Sequence, residues 1–198
     1  MPEPQAPLLV LASASPRRSA LLSQIGVRHR VMASGIDESR HAHESIEQCV
    51  QRLAQQKAQQ VSAQLKDVDV PVLGADTAVV VDGDMLGKPR DREHALDMLA
   101  RLSAREHAVL SAVALGRHGC VSCLLSRSVV RLRTLLPAEC AAYWASGEPH
   151  DKAGAYAIQG LGAVFVESLS GSYSGVMGLP LLETAALLSA AAVPVWQA

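Results

Sequence analysis

Two serines, a proline and two arginines, Ser13-Ala14-Ser15-Pro16-Arg17-Arg18, follow a short apolar run, Leu8 to Ala12. Pro16 to Gln24 reads as a helix, with Ser15 as its N-cap, Pro16 in the first position and Gly26 just past the end. A helix N-terminus attracts anions through its free N–H groups and its dipole. Arg17 and Arg18 therefore sit where positive charge is disfavoured, and an anion held there resolves the conflict. Ser13 and Ser15 add hydroxyl donors, and the guanidinium groups add charge-assisted, bidentate ones. The spacing suits a polyphosphate. The alternative is a capped helix with two solvated arginines.

Further polar residues interrupt apolar surroundings. In "VLGADTAVVVDG", Asp76 and Thr77 break a strand-like run. A carboxylate there is costly unless it is paired, hydrogen-bonded or metal-bound. A strand-end Asp bonding a local N–H is the other reading. Gly74 is expected to let a ligand approach the backbone. Lys57 falls within the apolar stripe of a long helix, where it either snorkels past the core or points at an anion. Lys88 sits in a turn, "LGKPRD". Asp37-Glu38 offers a second acid. In "DKAGAYAIQGLG", Asp151, Lys152, Tyr156 and Gln159 lie among glycines, either against a flat ligand or in a flexible loop. The run "GSYSGVMGLP" has the same character.

Anion-binding elements, one or two carboxylates and several lysines fit phosphate chemistry with a divalent cation, which bridges carboxylates and substrate phosphates. No P-loop and no kinase signature is present. Cys120-x-x-Cys123 has redox or zinc spacing, but a second such pair is missing and an extended segment turns the two thiols to opposite faces, so a structural role is expected. His41-x-His43 lies in a polar segment and is not expected to bind metal.

These residues need elements to position them. Leu8 to Ala12 reads as a buried strand and Val27 to Met32 as a second. Ser45-Ile46-Glu47-Gln48 has capping-box form and opens a helix with apolar positions Ile46, Val50, Leu53, Val61 and Leu65. Val70 to Val81 is strand-like, with a hairpin signal at Asp82-Gly83. Asp91 is expected to cap a helix through Leu102. His107 to Leu115 and Val121 to Leu136 read as strands joined around Gly116 to Gly119. Pro137 to Ala145 reads as a helix, Leu161 to Leu169 as a strand and Leu181 to Ala192 as a last helix. The mixture predicts an α/β or α+β fold with a mixed sheet and a cleft between two lobes.

At 198 residues and 49% hydrophobic, the chain suits one domain, or one domain with two lobes. Eighteen basic residues against 19 acidic ones leave a net charge of -1, with no bulk attraction to nucleic acid or anionic membrane. The start lacks a basic leader. The apolar C-terminal stretch is interrupted by Glu183 and Pro194, so no membrane span is expected. Four cysteines do not make a disulfide scaffold in a chain of this size. A soluble, cytoplasmic protein is the expectation.

The ordered motifs "SASPRR", "DE" at 37–38, "RLAQQKA", "GADT", "GKPRD", "HALDMLARLS", "SGEPHDKAGAYAIQG" and "GSYSGVMGLP" resemble those of the Maf family, from about Leu8 to Leu188. Its members are nucleoside triphosphate pyrophosphatases sharing the general fold of inosine triphosphate pyrophosphatases. The resemblance implies a mixed twisted sheet with flanking helices, two lobes around a deep cleft, frequent homodimers and a divalent metal, Mg²⁺ or Mn²⁺. It implies that Ser13, Arg17 and Arg18 hold phosphates, beside the hydroxyl donor of Ser15. Glu38 and Asp76 then take metal or base roles, with Asp76 as proton acceptor. Lys57, Lys88 and Lys152 neutralise charge around the reacting phosphate. Arg17, Thr77 and Gln159 match members acting on dTTP and UTP rather than on 7-methyl-GTP. Ala104, Ser111 and Gly175 depart from the usual Gly, Thr and Asn. A rival class is a nucleotide-binding regulator of cell division, since the family name derives from inhibited septum formation. The intact "GAD", "GKP" and "DKAG" motifs favour an enzyme.

Overall fold

Local sequence chemistry sets most of the element boundaries. The computed structural model describes residues 9–65 and 69–196. Leu8, the expected start of the first strand, lies outside them. Strand β1 is Leu9–Leu11, and helix α1 is Pro16–Gln24 with proline in its first turn. Ser15 occupies the N-cap backbone position but its hydroxyl makes no capping bond. Strand β2 is short, His29–Val31. Helix α2, Ile46–Gln64, opens with a reciprocal box: Ser45 Oγ accepts from Gln48 N at 3.1 Å, and Gln48 Oε1 accepts from Ser45 N at 2.9 Å.

Strand β3, Val72–Val81, turns at Asp82 and Gly83, both at positive φ, into β4, Asp84–Leu86. Asp91 caps helix α3, Arg92–Leu102, by accepting from His94 N at 2.8 Å. Strands β5, Glu106–Arg117, and β6, Cys120–Leu132, meet at His118-Gly119, again both at positive φ. Gly116 is thus inside β5 rather than in the turn. Helix α4, Pro137–Ala145, leads to 3-10 segments at Glu148–Asp151, Ala153–Ala155 and Leu161–Phe165. Strand β7 is Val166–Ser170, and helices α5, Tyr173–Met177, and α6, Leu181–Ala190, follow.

The expected strand from Leu161 to Leu169 is therefore corrected: its first half is a 3-10 turn. The N–H groups of Leu161 and Gly162 donate to Glu148, at 2.9 and 3.0 Å, and are not available to a strand ladder. The expected strand to Leu136 stops at Leu132, because Leu136 is already the N-cap of α4.

Among the described residues, seven strands form one mixed sheet in the order β2-β1-β3-β5-β6-β7, with β4 paired to β3. β1 runs parallel to β2 and to β3, with Val10 opposite Arg30 and Val72. β3–β4 and β6–β7 are antiparallel. The chain divides into two compact units. One holds the described parts of 1–76, 111–125 and 178–198, and the other holds 77–110 and 126–177. In the first, Val10, Ala12, Ala58, Val61 and Val72 form a core under α2. In the second, a larger core gathers Val79, Leu99, Val130, Tyr143, Tyr156 and Phe165. Among the described residues, no helix is long and apolar enough to cross a membrane.

Candidate active site

The first unit brings Ser13, Arg18, Glu38, Lys57 and Asp76 together. Gly74 and Asp76 project from the same face of β3, two residues apart. A Cβ on Gly74 would lie 2.1 Å from Ala54 O and 2.8 Å from Ala58 N. Glycine is required there for α2 to approach the strand, and not, as the sequence suggested, for a ligand. That close approach aims Lys57, which is buried, at Asp76: Nζ lies 2.8 Å from Asp76 Oδ1 and 2.7 Å from Glu38 Oε1. One ammonium therefore joins two carboxylates of different setting. The Asp76 side chain is 12% exposed on a strand, and the Glu38 side chain is 61% exposed in the loop after β2.

Ser13, itself buried, caps the cluster at the end of β1. Its Oγ accepts from Ser15 N at 3.3 Å and from Arg18 Nη1 at 3.0 Å. Arg18 Nε donates to Gly178 O at 2.8 Å. Ser13 rather than Ser15 thus supplies the side-chain bond at this helix entrance, and two partners hold the Arg18 guanidinium in place. Arg17 adjoins it, and its charge acts on Arg18.

Burial and charge oppose each other here. Burial raises the Asp76 pKa above the ordinary carboxylate range, against the lowering pull of Lys57 and Arg18. Burial lowers the pKa of Arg18, while Asp76 and Glu38 raise it. A buried carboxylate of raised basicity, oriented by a lysine, is equipped to take a proton from water.

The same two carboxylates suit a hard divalent cation. Among the described residues no three His, Cys, Asp and Glu side chains gather as a ready-made metal cage. Two converging carboxylates are nonetheless the protein share of a Mg²⁺-type site, in which substrate phosphates complete the coordination. Glu38 and Asp76 therefore fit the expected metal. Cys120 is exposed and Cys123 half-buried, and burial pushes the Cys123 thiol up to about 11.

Thr77, Lys88, Lys152 and Gln159 belong to the second unit. Thr77 follows Asp76 on β3 and faces the other side. Lys88 is exposed after β4. Lys152 pairs with Asp151. Gln159 is exposed at a turn closed by Gly160 N to Ala157 O at 3.5 Å. The neighbouring glycines serve packing rather than a flat ligand. A Cβ on Gly154 would meet Val79 at 3.0 Å, and one on Gly160 would meet Glu148 Oε2 at 2.0 Å. Sequence reasoning gave no role to Glu148. The signal for it was a glutamate placed ahead of closely spaced glycines.

Residues 8–191 match the family described as Maf-like protein. The chain is 52% identical over 181 residues to a dTTP/UTP pyrophosphatase of Shigella sonnei (strain Ss046), covering 91% of each chain. It is 53% identical over 183 residues to the protein of the same name from Escherichia coli O157:H7, again covering 91% of each.

Proposed function

Because the chain belongs to the Maf family, we propose that it hydrolyses dTTP and UTP to the nucleoside monophosphate and pyrophosphate. The observation that carries the mechanism is the Lys57 ammonium bridging buried Asp76 and exposed Glu38, beside Ser13 and Arg18. Residues 1–198 are taken as one two-lobed domain working on a small nucleotide, in the cytoplasm and without nucleic acid or membrane.

Ser13, Ser15, Arg17 and Arg18 bind the triphosphate with hydroxyl, backbone and guanidinium donors. Lys57, Lys88 and Lys152 offset its charge. Asp76, oriented through Oδ1 by Lys57, accepts a proton from water. The water oxygen bonds to the α-phosphorus, the α–β anhydride bond breaks, and pyrophosphate leaves with that electron pair. Positioning and charge compensation supply most of the acceleration in such phosphoryl transfers. Glu38 and Asp76 would hold Mg²⁺ or Mn²⁺, which would supply further charge neutralisation at the phosphates.

Thr77 and Gln159 are assigned to substrate selection. Uracil and thymine present carbonyl, N–H and carbonyl along one edge. The Gln159 amide can accept from N3–H and donate to a neighbouring carbonyl at once. Cytosine lacks the N3 proton and forfeits one of these bonds.

A pyrophosphate-release assay with dTTP and UTP tests this reading. Stoichiometric monophosphate and pyrophosphate are expected, with loss in excess chelator and recovery on adding Mg²⁺ or Mn²⁺. Orthophosphate as the first product, or nucleotide binding without turnover as a pure regulator requires, would sink it.

A further inference from the structure

Gln159 stands on a loop whose two ends are tied to one pair of side chains. Glu148 Oε1 accepts from Tyr143 Oη at 2.7 Å and from Gly162 N at 3.0 Å, and Oε2 accepts from Leu161 N at 2.9 Å. Tyr143 Oη in turn accepts from Ala157 N at 3.0 Å. The chain is thus anchored at Ala157 before the turn and at Leu161 and Gly162 after it, and only Ile158, Gln159 and Gly160 lie between. Ile158 is buried and Gln159 exposed, so the turn offers a single polar side chain outward.

The fit is close on both sides. A Cβ on Gly160 would come within 2.0 Å of Glu148 Oε2, and one on Gly162 within 2.7 Å of Tyr143 Oη and 2.9 Å of Ala157 O. The Tyr143 ring is fixed edge-on against Phe165, with centroids 5.0 Å apart. Tyr143 is buried, so its hydroxyl has little water to turn to. Hydrogen bonding to Tyr143 and to the two backbone amides opposes the effect of burial on Glu148 and keeps its pKa below the usual carboxylate range.

We propose that Tyr143 and Glu148 are positioning residues for base selection, acting through Gln159. This rests on the reading that Gln159 contacts the base. An amide discriminates uracil from cytosine only if its donor and acceptor ends are held apart in a fixed orientation, because rotation by half a turn exchanges them. A backbone clamped on both sides fixes the point from which the Gln159 side chain starts, and so narrows the positions its amide can take before substrate arrives, while contacts beyond the clamp set the terminal amide rotation. A loop closed by its own turn alone lets the amide re-aim toward cytosine, and selectivity then falls even though the pocket is intact.

The test compares kcat/KM for UTP and CTP in the wild type, Tyr143→Phe, Glu148→Gln, Gln159→Ala and the Tyr143→Phe/Gln159→Ala double variant. Circular dichroism and Tm verify folding. Tyr143→Phe keeps the ring packing and deletes only the hydroxyl. The UTP-over-CTP ratio is expected to fall about tenfold, the worth of one hydrogen bond, mostly through a raised KM for UTP and with kcat little changed. The double variant should show the ratio of Gln159→Ala alone. Glu148→Gln places an amide N–H₂ against a backbone N–H and should lower the ratio as well, which keeps the test open if one variant fails to fold. If Gln159→Ala lowers the ratio while Tyr143→Phe and Glu148→Gln lower kcat/KM equally for both nucleotides, the pair is structural only and the proposal is overturned. If Gln159→Ala itself leaves the ratio unchanged, the base-reading assignment is what fails, and the selective role of the pair falls with it.

Discussion

Lys57 joins two acids that carry the same charge in different settings. Asp76 is buried and rigid on β3, and Glu38 is solvent-facing on a loop. Asp76→Asn keeps the shape but removes the basic oxygen. Turnover should fall by about a hundredfold to ten-thousandfold with an unchanged circular dichroism spectrum, and raising Mg²⁺ should not restore it. On the proposed roles, Glu38→Gln leaves the Asp76 base in place and weakens the hold on the cation, besides removing one charged partner of Lys57. Its activity should recover as Mg²⁺ is raised, so that a Mg²⁺ titration of both variants separates the roles. Recovery of the Asp76 variant by metal would remove it from proton transfer. At this scale the sequence made Asp76 and Lys57 legible, because each is a charge set among apolar residues. Ser15 is the N-cap, as expected, but cap preference is read from the position next to the helix and does not say which serine makes the side-chain bond. Ser13 Oγ, two residues earlier, forms the bond instead and ties in Arg18 as well.

Elements were legible where the determinant lies within a few residues. The Ser45–Gln48 box, the Asp91 cap and the Asp82-Gly83 turn all appear as expected. They were not legible where the determinant is distant. Residues 161–165 are held off the sheet by Glu148, and Gly74 serves the approach of α2. Gly74→Ala should therefore destabilise the protein by about 1–3 kcal/mol, as overpacking does, and should also lower turnover because α2 carries Lys57. A denaturant midpoint equal to wild type would refute this packing account. Ala104, which stands where the family usually has glycine, has φ 60° and is pinned by its N–H to Arg133 O at 3.1 Å. A Cβ is strained in that left-handed conformation, so Ala104→Gly should raise stability by about 1 kcal/mol despite the greater freedom of glycine when unfolded. A lowered Tm in that variant would show that the loop carries no such strain.

For the molecule as a whole, acid sensitivity is expected to centre on one buried imidazole. His107 Nε2 lies 2.7 Å from Tyr156 Oη, its Nδ1 has no partner among the described residues, and burial pulls its pKa from 6.5 to about 4. Between those values the unfolded chain binds the proton that the native chain refuses, so stability rises with pH across that window. It should be complete above about pH 6.5 and decline toward pH 4 by about 3 kcal/mol, with no further loss from this group below that. Urea denaturation of wild type and His107→Gln across the same range should show a flatter profile in the variant. Parallel profiles would place the acid lability elsewhere. The pairing of Arg18 with Gly178 O joins groups 160 residues apart. On a ribosome adding about 5–20 residues per second, the acceptor follows the arginine by roughly ten to thirty seconds. A nascent chain displays the helix start with its two arginines well before the carbonyl that steadies Arg18 has been made.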